Sequence, residues 1–380
     1  MAKHVEIETL EALDRLCETG RDPGGSTPEN VVIQNLDLRE RSRPLVALSG
    51  AGLVLLGCRV EPEALEQLMA TGAVVFPALP DLPYRPYRST LYTPDELMAG
   101  YRRGDRASFA TDTTDAAIYT RYQASRKEAP LVDALTQRLH DLAVDDALQD
   151  WLTRDGDRRV VGIMGGHSML RTDAAYGDVV RLARTLARAG YTVATGGGPG
   201  AMEAGNLGAW LAPHADDALE EALTILSVAP SYRDDPWLDS AYEVRERFEA
   251  GAGSLAVPTW FYGHEPTNLF ATVVAKYFSN SLREDGLLAI ARHGIVFAPG
   301  SAGTVQEIFQ DAAQNHYGTF GDVSPMVLLD RTYWTETRPV VELLTALSVG
   351  RQYGSRIAVV DTPEEAVERI VGWPPVGYLG

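Results

Sequence analysis

A short apolar segment that runs into a loop of small residues restricts the possible folds of this chain more than any other stretch. Residues 295–298 (Ile-Val-Phe-Ala) are apolar without alternation, the pattern of a parallel strand buried on both faces. Pro299 ends the strand, and residues 300–303 (Gly-Ser-Ala-Gly) carry no bulky side chain, so backbone N–H groups can approach a ligand there. Thr304 is the expected N-cap of the helix that follows. A helix that starts beneath such a loop predicts a site for an anion such as phosphate.

The order of strand, glycine-rich loop and helix occurs twice more between residues 160 and 211. Val160–Met164 is an apolar strand followed by Gly165 and Gly166, and residues 191–194 are a strand followed by the glycine-dense segment 196–202 (GGGPGAM). Strand and helix patterns then alternate to the end of the chain. This alternation predicts an α/β fold with a doubly wound, Rossmann-like parallel sheet, whose ligands bind beyond the carboxyl ends of the strands.

The chain has 380 residues, which is too many for one ordinary domain, and its patterns change twice along its length. Residues 1–110 alternate short apolar runs with turns and predict a small α+β module of unknown role. Residues 111–156 place leucines at helical spacing and predict a helical connector. Residues 157–380 contain the alternating strands and helices and are the predicted Rossmann-like, ligand-binding domain.

Composition narrows the classes of partner. The net charge of −18 argues against a general binder of nucleic acids or anionic membranes, although backbone dipoles can still hold a single phosphate. The two cysteines, Cys17 and Cys58, form no CxxC pair, and no HExxH motif occurs, so neither a disulfide framework nor a metal site is predicted. Because no signal peptide and no membrane-length apolar run is apparent, we expect a cytoplasmic protein.

Two of these segments together resemble the signatures of the Lonely Guy (LOG) family, once described as lysine decarboxylase-like. The signature P-G-G-x-G-T-x-x-E corresponds to Pro299–Glu307, with Ser301 in place of the second glycine. The signature G-G-G-x-x-G-x-M corresponds to residues 196–202, where Gly200 and Met202 come one position earlier than in some members.

The resemblance covers about residues 157–371 and implies an enzyme that uses no cofactor. Such an enzyme hydrolyses the N-glycosidic bond of a nucleoside 5′-monophosphate and releases the free base and ribose 5-phosphate. The resemblance also implies that Glu307 acts on the ribose and on the attacking water. Cleavage passes through an oxocarbenium-like state, which a carboxylate beside the sugar stabilises.

The resemblance also bears on partners. LOG proteins pair their domains, so a homodimer or a higher homo-oligomer is implied. The expected ligand is a nucleoside monophosphate or a related phosphorylated ribose, and neither a nucleic acid nor a membrane is an expected partner.

The family uses an arginine about fifteen residues before the motif proline. Arg283 is the nearest candidate here, with Arg292 as the other arginine of the same predicted helix. Arg283 lies one position too far from Pro299, which on a continuous helix would rotate its side chain by about 100°. The match therefore requires a break near Gly286 in a helical region that the sequence predicts between residues 267 and 292.

Each of these residues has a simpler structural explanation. Glu307 suits the start of a helix through its charge alone, Arg283 could be a solvated surface cation, and Asn280 could be an ordinary polar helix residue. His167 follows the first strand where family members contact the nucleotide, yet a histidine in a loop is commonly incidental. Helix capping explains residues 264–265 (His-Glu) almost as well as ligand contact does.

The predicted catalytic residues are Glu307 and Arg283. The predicted substrate-binding residues belong to the two glycine-rich loops, to the end of the first strand and to the helix that carries Arg283: Gly165, His167, Gly196, Gly197, Gly198, Pro199, Gly200, Met202, Asn280, Gly300, Ser301, Ala302, Gly303 and Thr304.

No cofactor is predicted. The dinucleotide motif G-x-G-x-x-G is absent and no acidic residue ends the second strand, which disfavours NAD. A pyridoxal enzyme needs a Schiff-base lysine, and the only lysines are Lys3, Lys127 and Lys276. Lys276 is expected within a helix and has no companion motif, so that chemistry is rejected. The alternative function is a noncatalytic nucleotide-binding protein, a carrier or a sensor, because one fold can host both.

Overall fold

The computed structural model describes residues 4–20, 30–48, 52–79, 81–154 and 156–379. The chain separates into two compact units, residues 1–89 and 90–380, and each is described by itself. The three-part division with boundaries at residues 110 and 156 stays a prediction. Within the described ranges, no helix combines the length and the apolar character needed to cross a membrane.

The smaller unit alternates strands with helices. Its described residues form a four-stranded sheet in which every pair of neighbours is parallel and the strands follow chain order. The sequence predicted a small α+β module here, and the structure shows this regular α/β alternation. The elements are β1 (Val5–Ile7), α1 (Leu10–Thr19), β2 (Val31–Gln34), α2 (Ser42–Ala47), β3 (Leu53–Leu56), α3 (Pro62–Ala70) and β4 (Val74–Phe76).

The larger unit begins with helices, and two of them correspond to the predicted connector. After the short helices α4 (Pro94–Leu97) and α5 (Ala107–Thr111) come α6 (Thr114–Ser125) and α7 (Leu131–Thr153). Pro130 occupies the N-cap position of α7, because a proline is tolerated there but not within a helix.

Seven parallel strands in the described part of the larger unit form its central sheet, which confirms the predicted doubly wound α/β fold. Their order is β12-β11-β9-β5-β6-β7-β8. A separate antiparallel pair joins β10 and β13. The strands are β5 (Val160–Met164), β6 (Thr192–Thr195), β7 (Ser254–Ala256), β8 (Val273–Val274), β9 (Ile295–Phe297), β10 (Asp322–Val323), β11 (Met326–Leu329), β12 (Ile357–Val360) and β13 (Val376–Gly377). The helices between them are α8 (Ala174–Arg188), α9 (Ala201–Trp210), α10 (Asp217–Leu226), α11 (Trp237–Arg247), α12 (Asn280–Ile290), α13 (Ala302–Tyr317), α14 (Val341–Ser348) and α15 (Pro363–Gly372).

The order of the strands reverses beside β5. From β5 the chain proceeds outward through β6, β7 and β8, and it then returns to form β9 on the opposite side of β5. The strands β5 and β9 are neighbours. The chain after β5 continues to β6 on one side of this pair, and the chain after β9 continues to β11 on the other side. Such a reversal opens a crevice where α/β sheets bind ligands.

Two sequence expectations about helix boundaries are wrong. Residues 267–279 are not helical; they include β8, and α12 begins only at Asn280 and runs without a break to Ile290. Lys276 consequently lies outside any helix. Helix α13 begins at Ala302, so Thr304 is its third residue, and Ser301 occupies the N-cap position without a side-chain hydrogen bond.

Candidate functional site

The glycine-rich loops that follow β6 and β9 meet at the loop that follows β5. The backbone N–H of Gly166 donates to the carbonyl oxygen of Pro299 at 2.9 Å, and its own carbonyl oxygen accepts from the N–H of Ala201 at 3.1 Å. One residue thus ties together the starts of both loop–helix segments. Because parallel strands end at the same edge of a sheet, the predicted loops lie on one side of the molecule.

Close packing explains why glycine is required in these loops. Gly200 has a φ of +71°, and a Cβ atom there would lie 2.4 Å from the carbonyl oxygen of Gly166. A Cβ atom on Gly300 would lie 2.1 Å from Oγ1 of Thr304. A larger residue at position 200 would push the loop away from Gly166, and one at position 300 would displace the Thr304 side chain.

Glu307 and Arg283 face each other from α13 and α12. An Oε1–Nη1 distance of 3.6 Å separates the carboxylate from the guanidinium, and the two side chains are 14% and 11% exposed. The sequence required a helix break for this meeting. None is needed, because Arg283 meets Glu307 from the first turn of α12, which is continuous from Asn280 to Ile290. Arg283 also donates to the carbonyl oxygens of Val257 at 2.8 Å and of Gly196 at 3.3 Å.

The environment of Glu307 gives it an unusual titration. Burial raises the pKa of Glu307 to about 7, while the Arg283 guanidinium lowers it and the Glu284 carboxylate raises it further. A carboxyl group that titrates near neutrality can accept and release a proton under ordinary conditions. Its place beside a glycine-lined crevice makes it a candidate for acid–base chemistry.

Asp141, a buried residue of α7, holds the start of α12 in place. Its carboxylate accepts hydrogen bonds from the backbone N–H groups of Phe278 and Ser279, each at 2.9 Å. Ser279 occupies the N-cap position of α12 but makes no side-chain cap of its own. Asp141 therefore satisfies the helix start from another element and fixes the helix that carries Arg283.

Two predicted residues outside the glycine-rich loops, Asn280 and His167, have different surroundings. Asn280 is the first residue of α12, and its amide nitrogen donates to the Tyr262 hydroxyl at 3.0 Å and to Glu284 at 2.8 Å. His167 is exposed and lines a cavity of about 120 Å³ together with Gly200 and Tyr232.

The loop residues themselves differ in burial. Gly165 is half-buried, and a Cβ on it would lie 2.6 Å from that of Ala201. Residues 196–200 are buried, whereas residues 301–303 at the start of α13 are exposed, as an approaching ligand would require.

Sequence reasoning missed a tyrosine that supports the second loop. Tyr333 lies in a short π-helix after β11, and its hydroxyl donates to the carbonyl oxygen of Gly300 at 2.6 Å. In the sequence, the only indication of this contact is that Tyr333 follows β11, the strand next to β9. A second omission is Glu203 on α9, which binds Arg171 in the protein interior.

Lys276, rejected as a Schiff-base lysine, has a structural partner. Its Nζ donates to both carboxylate oxygens of Asp115 on α6, at 2.7 and 2.9 Å, and both side chains are buried. Burial opposes the charge of Asp115, but Lys276 and His264 outweigh it and lower the pKa of Asp115 to about 2. Lys3 lies outside the described residues.

Comparisons with known proteins find similar structures but no matching family. No protein-family model and no curated protein matches the chain. The molybdenum cofactor binding protein of Rippkaea orientalis is 15% identical, with 57% of this chain and 96% of that chain covered and a TM-score of 0.37. The molybdenum cofactor carrier protein of Chlamydomonas reinhardtii is 15% identical, with 57% and 99% covered and a TM-score of 0.36. A structural genomics target is 23% identical, with 56% and 98% covered and a TM-score of 0.36. TM-scores this low support no statement about function.

Proposed function

We propose that this protein hydrolyses the N-glycosidic bond of a nucleoside 5′-monophosphate. The observation that carries the proposal is the Arg283–Glu307 pair at the sheet edge where the two glycine-rich loops meet. The resemblance of the loop motifs to the LOG family points to the same reaction. The pairing also brings together the two residues that the resemblance implies as catalytic.

The reaction follows from the placement of Glu307. The carboxylate takes a proton from a water molecule, and the water oxygen bonds to C1′ of the ribose as the bond between C1′ and the base nitrogen breaks. The bonding electron pair leaves with the base, which takes up a proton. The products are the free base and ribose 5-phosphate, and positive charge on the sugar in the transition state favours a nearby carboxylate.

In this proposal, the two glycine-rich loops bind different parts of the ligand. Residues 300–304 and the start of α13 hold the phosphate through backbone N–H groups and the helix dipole. Residues 196–202 line the ribose side, and Arg283 positions Glu307. The protein therefore needs no basic patch to bind a phosphate, which is consistent with its net charge of −18.

The experiment is incubation with AMP, GMP, CMP and UMP, followed by chromatographic detection of free base and of ribose 5-phosphate. Glu307→Gln keeps the size of the side chain and should lower turnover by about 10²–10⁴-fold while nucleotide binding persists. Asp133→Asn, which changes a buried carboxylate of α7 paired with Arg121, is the matched control and should retain turnover. Equal turnover by Glu307→Gln and the wild type would refute the assigned mechanism.

The alternative is a noncatalytic carrier or sensor of nucleotides. Ser301 favours it, because this exposed residue replaces a signature glycine at the N-cap position of α13. Binding of a monophosphate without release of base from any of the four nucleotides would establish the alternative. We also infer from the resemblance a homodimer, which light scattering of the purified protein tests.

A further inference from the structure

Glu265 places a second carboxylate against the glycine-rich loop that follows β6. A Cβ atom on Gly198 would lie 3.1 Å from Oε2 of Glu265, so the carboxylate is in contact with the loop. The residue is half-buried. Among the described residues, its carboxylate has neither a hydrogen bond nor an ion pair. A carboxylate held against a ligand loop without a protein partner is available to a ligand.

The chain on the amino-terminal side of Glu265 is fixed by residues of α5 and α6. The His264 ring stacks between Phe109 and Tyr119, with centroid distances of 4.2 and 5.2 Å. Its Nε2 lies 3.1 Å from a carboxylate oxygen of Asp115, which is fully buried. The backbone next to Glu265 is therefore anchored by ring stacking and by the contact of His264 with Asp115.

The chain on the carboxyl-terminal side is fixed by α9. Asn268 is 1% exposed, and its amide nitrogen donates to the carbonyl oxygen of Met202 at 3.3 Å and to Oδ1 of Asn206 at 2.9 Å. Glu265 thus lies on a short segment held at both ends, which limits the positions its carboxylate can take.

The same loop also contacts the Arg283–Glu307 pair. Arg283 donates to the carbonyl oxygen of Gly196, two residues before the glycine that Glu265 approaches. Glu265 therefore contacts this loop directly, and Glu307 is linked to the same loop through Arg283. Enzymes that cleave glycosidic bonds commonly use two carboxylates, because proton transfer and stabilisation of the cationic sugar are separate tasks.

We propose that Glu265 is the second catalytic carboxylate of this site and contacts the ribose of a nucleoside monophosphate. This inference rests on the proposed function. Glu307 takes the proton from the attacking water. The negative charge of Glu265 stabilises the positive charge that develops on the ribose ring. Glu265 forms and breaks no covalent bond, so the balance of the reaction is unchanged.

The substitution Glu265→Gln separates this role from a structural one. The neutral amide keeps the volume and the hydrogen-bonding capacity towards ribose hydroxyls, but it cannot stabilise a cationic transition state. We expect kcat to fall by about 10–100-fold. The Kd for AMP should become lower, because a negative charge near an anionic ligand has been removed. Asp133→Asn again serves as the control and should change neither constant.

Calorimetric titration with AMP at low and high salt makes the test independent of turnover. Tighter binding by Glu265→Gln than by the wild type, with a difference that shrinks as salt rises, supports a carboxylate beside the ligand. Identical affinities at both salt concentrations, or an unchanged kcat in an active enzyme, overturn the role of Glu265 alone. If the wild type binds AMP without turnover, the hydrolase proposal fails while the titration still decides the position of Glu265. If neither protein binds a monophosphate, both proposals fall.

Discussion

Two glycine-rich loops in this protein each lead into a helix whose glutamate meets an arginine, and the two pairs differ in almost every physical respect. Glu203 follows the loop after β6 and binds Arg171 through two contacts, at 2.9 and 2.5 Å, with both side chains 1% exposed. The Tyr176 hydroxyl donates to the same carboxylate at 2.9 Å. Glu307 follows the loop after β9, and its arginine lies 3.6 Å away.

This difference distinguishes a structural ion pair, Arg171–Glu203, from the Arg283–Glu307 pair of the candidate site. Every polar group of the Arg171 guanidinium has a partner nearby, since it also donates to Ser240 and to the carbonyl oxygen of Trp237. A buried pair whose polar groups are hydrogen-bonded in this way holds elements of the protein together. Glu307 is buried with one distant counter-charge, so burial dominates and raises its pKa to about 7. Glu307 therefore lacks the close set of partners that the buried Glu203 has.

Breaking the scaffold pair should have the largest effect on stability. Glu203→Gln leaves the Arg171 guanidinium charged and buried without a counter-ion, which should lower the free energy of unfolding by about 3–5 kcal/mol. Urea unfolding followed by circular dichroism measures the loss. Turnover per folded molecule should change little, whereas Glu307→Gln should show the reverse pattern. Equal losses of stability in the two variants would remove the distinction between the pairs.

Asp311 shares a raised pKa with Glu307 but not the other features of the candidate functional site. It lies one turn beyond Glu307 on α13, and burial raises its pKa to about 8. Oδ2 of Asp311 has no partner in the described structure, and Asn315 donates to Oδ1 at 3.1 Å. Among the described residues, no basic side chain offsets this burial, so we assign Asp311 no chemistry.

The folded-state pKa of Asp311 lies above its value of 3.8 in the unfolded chain, so folding takes up a proton between these values. Its contribution to stability is fully present below about pH 4 and is lost as the pH rises through 8. Asp311→Asn should therefore leave stability at pH 4 unchanged and raise the free energy of unfolding at pH 9 by a few kcal/mol. Urea unfolding at the two pH values measures this. A variant destabilised equally at both would show that the carboxyl group is not buried as described.

The pH dependence of turnover sharpens the description of the catalytic pair. Because Glu307 acts as a base in the proposed mechanism, activity should rise with pH with a midpoint near 7. The Glu284 carboxylate raises the pKa of Glu307, so Glu284→Gln should move the midpoint down. Loss of the Arg283 charge in Arg283→Gln should move the midpoint of any residual activity up. Rate profiles from pH 5 to 9 measure both shifts, and displacement in the opposite directions would contradict the assignment.

Local sequence patterns were sufficient for the sheet and for both glycine-rich loops, because strand hydrophobicity and glycine conformations depend on neighbouring residues. The start of α12 was not predictable in this way. Apolar spacing between residues 267 and 279 resembles a helix, but three aspartates of the connector hold this segment in an extended conformation. Asp115 binds Lys276, and Asp145 accepts from the Tyr277 hydroxyl. Asp141 accepts from the N–H groups of Phe278 and Ser279. Contacts across more than 130 positions overrode local propensity there. The pairing of Glu203, like that of Glu307, also depended on tertiary contacts.

The smallest expected effect concerns the hydroxyl that supports the second loop. Tyr333→Phe removes the hydrogen bond to the Gly300 carbonyl oxygen but keeps the ring, which should cost about 1 kcal/mol. Because Gly300 belongs to the proposed phosphate loop, we expect a severalfold rise in KM for AMP with little change in kcat. Tyr378→Phe removes a comparable hydrogen bond, to the His316 carbonyl oxygen at the far end of α13, and is the matched control. If both variants raised KM equally, the change would reflect general loosening of α13, and Tyr333 would have no specific part in shaping the loop.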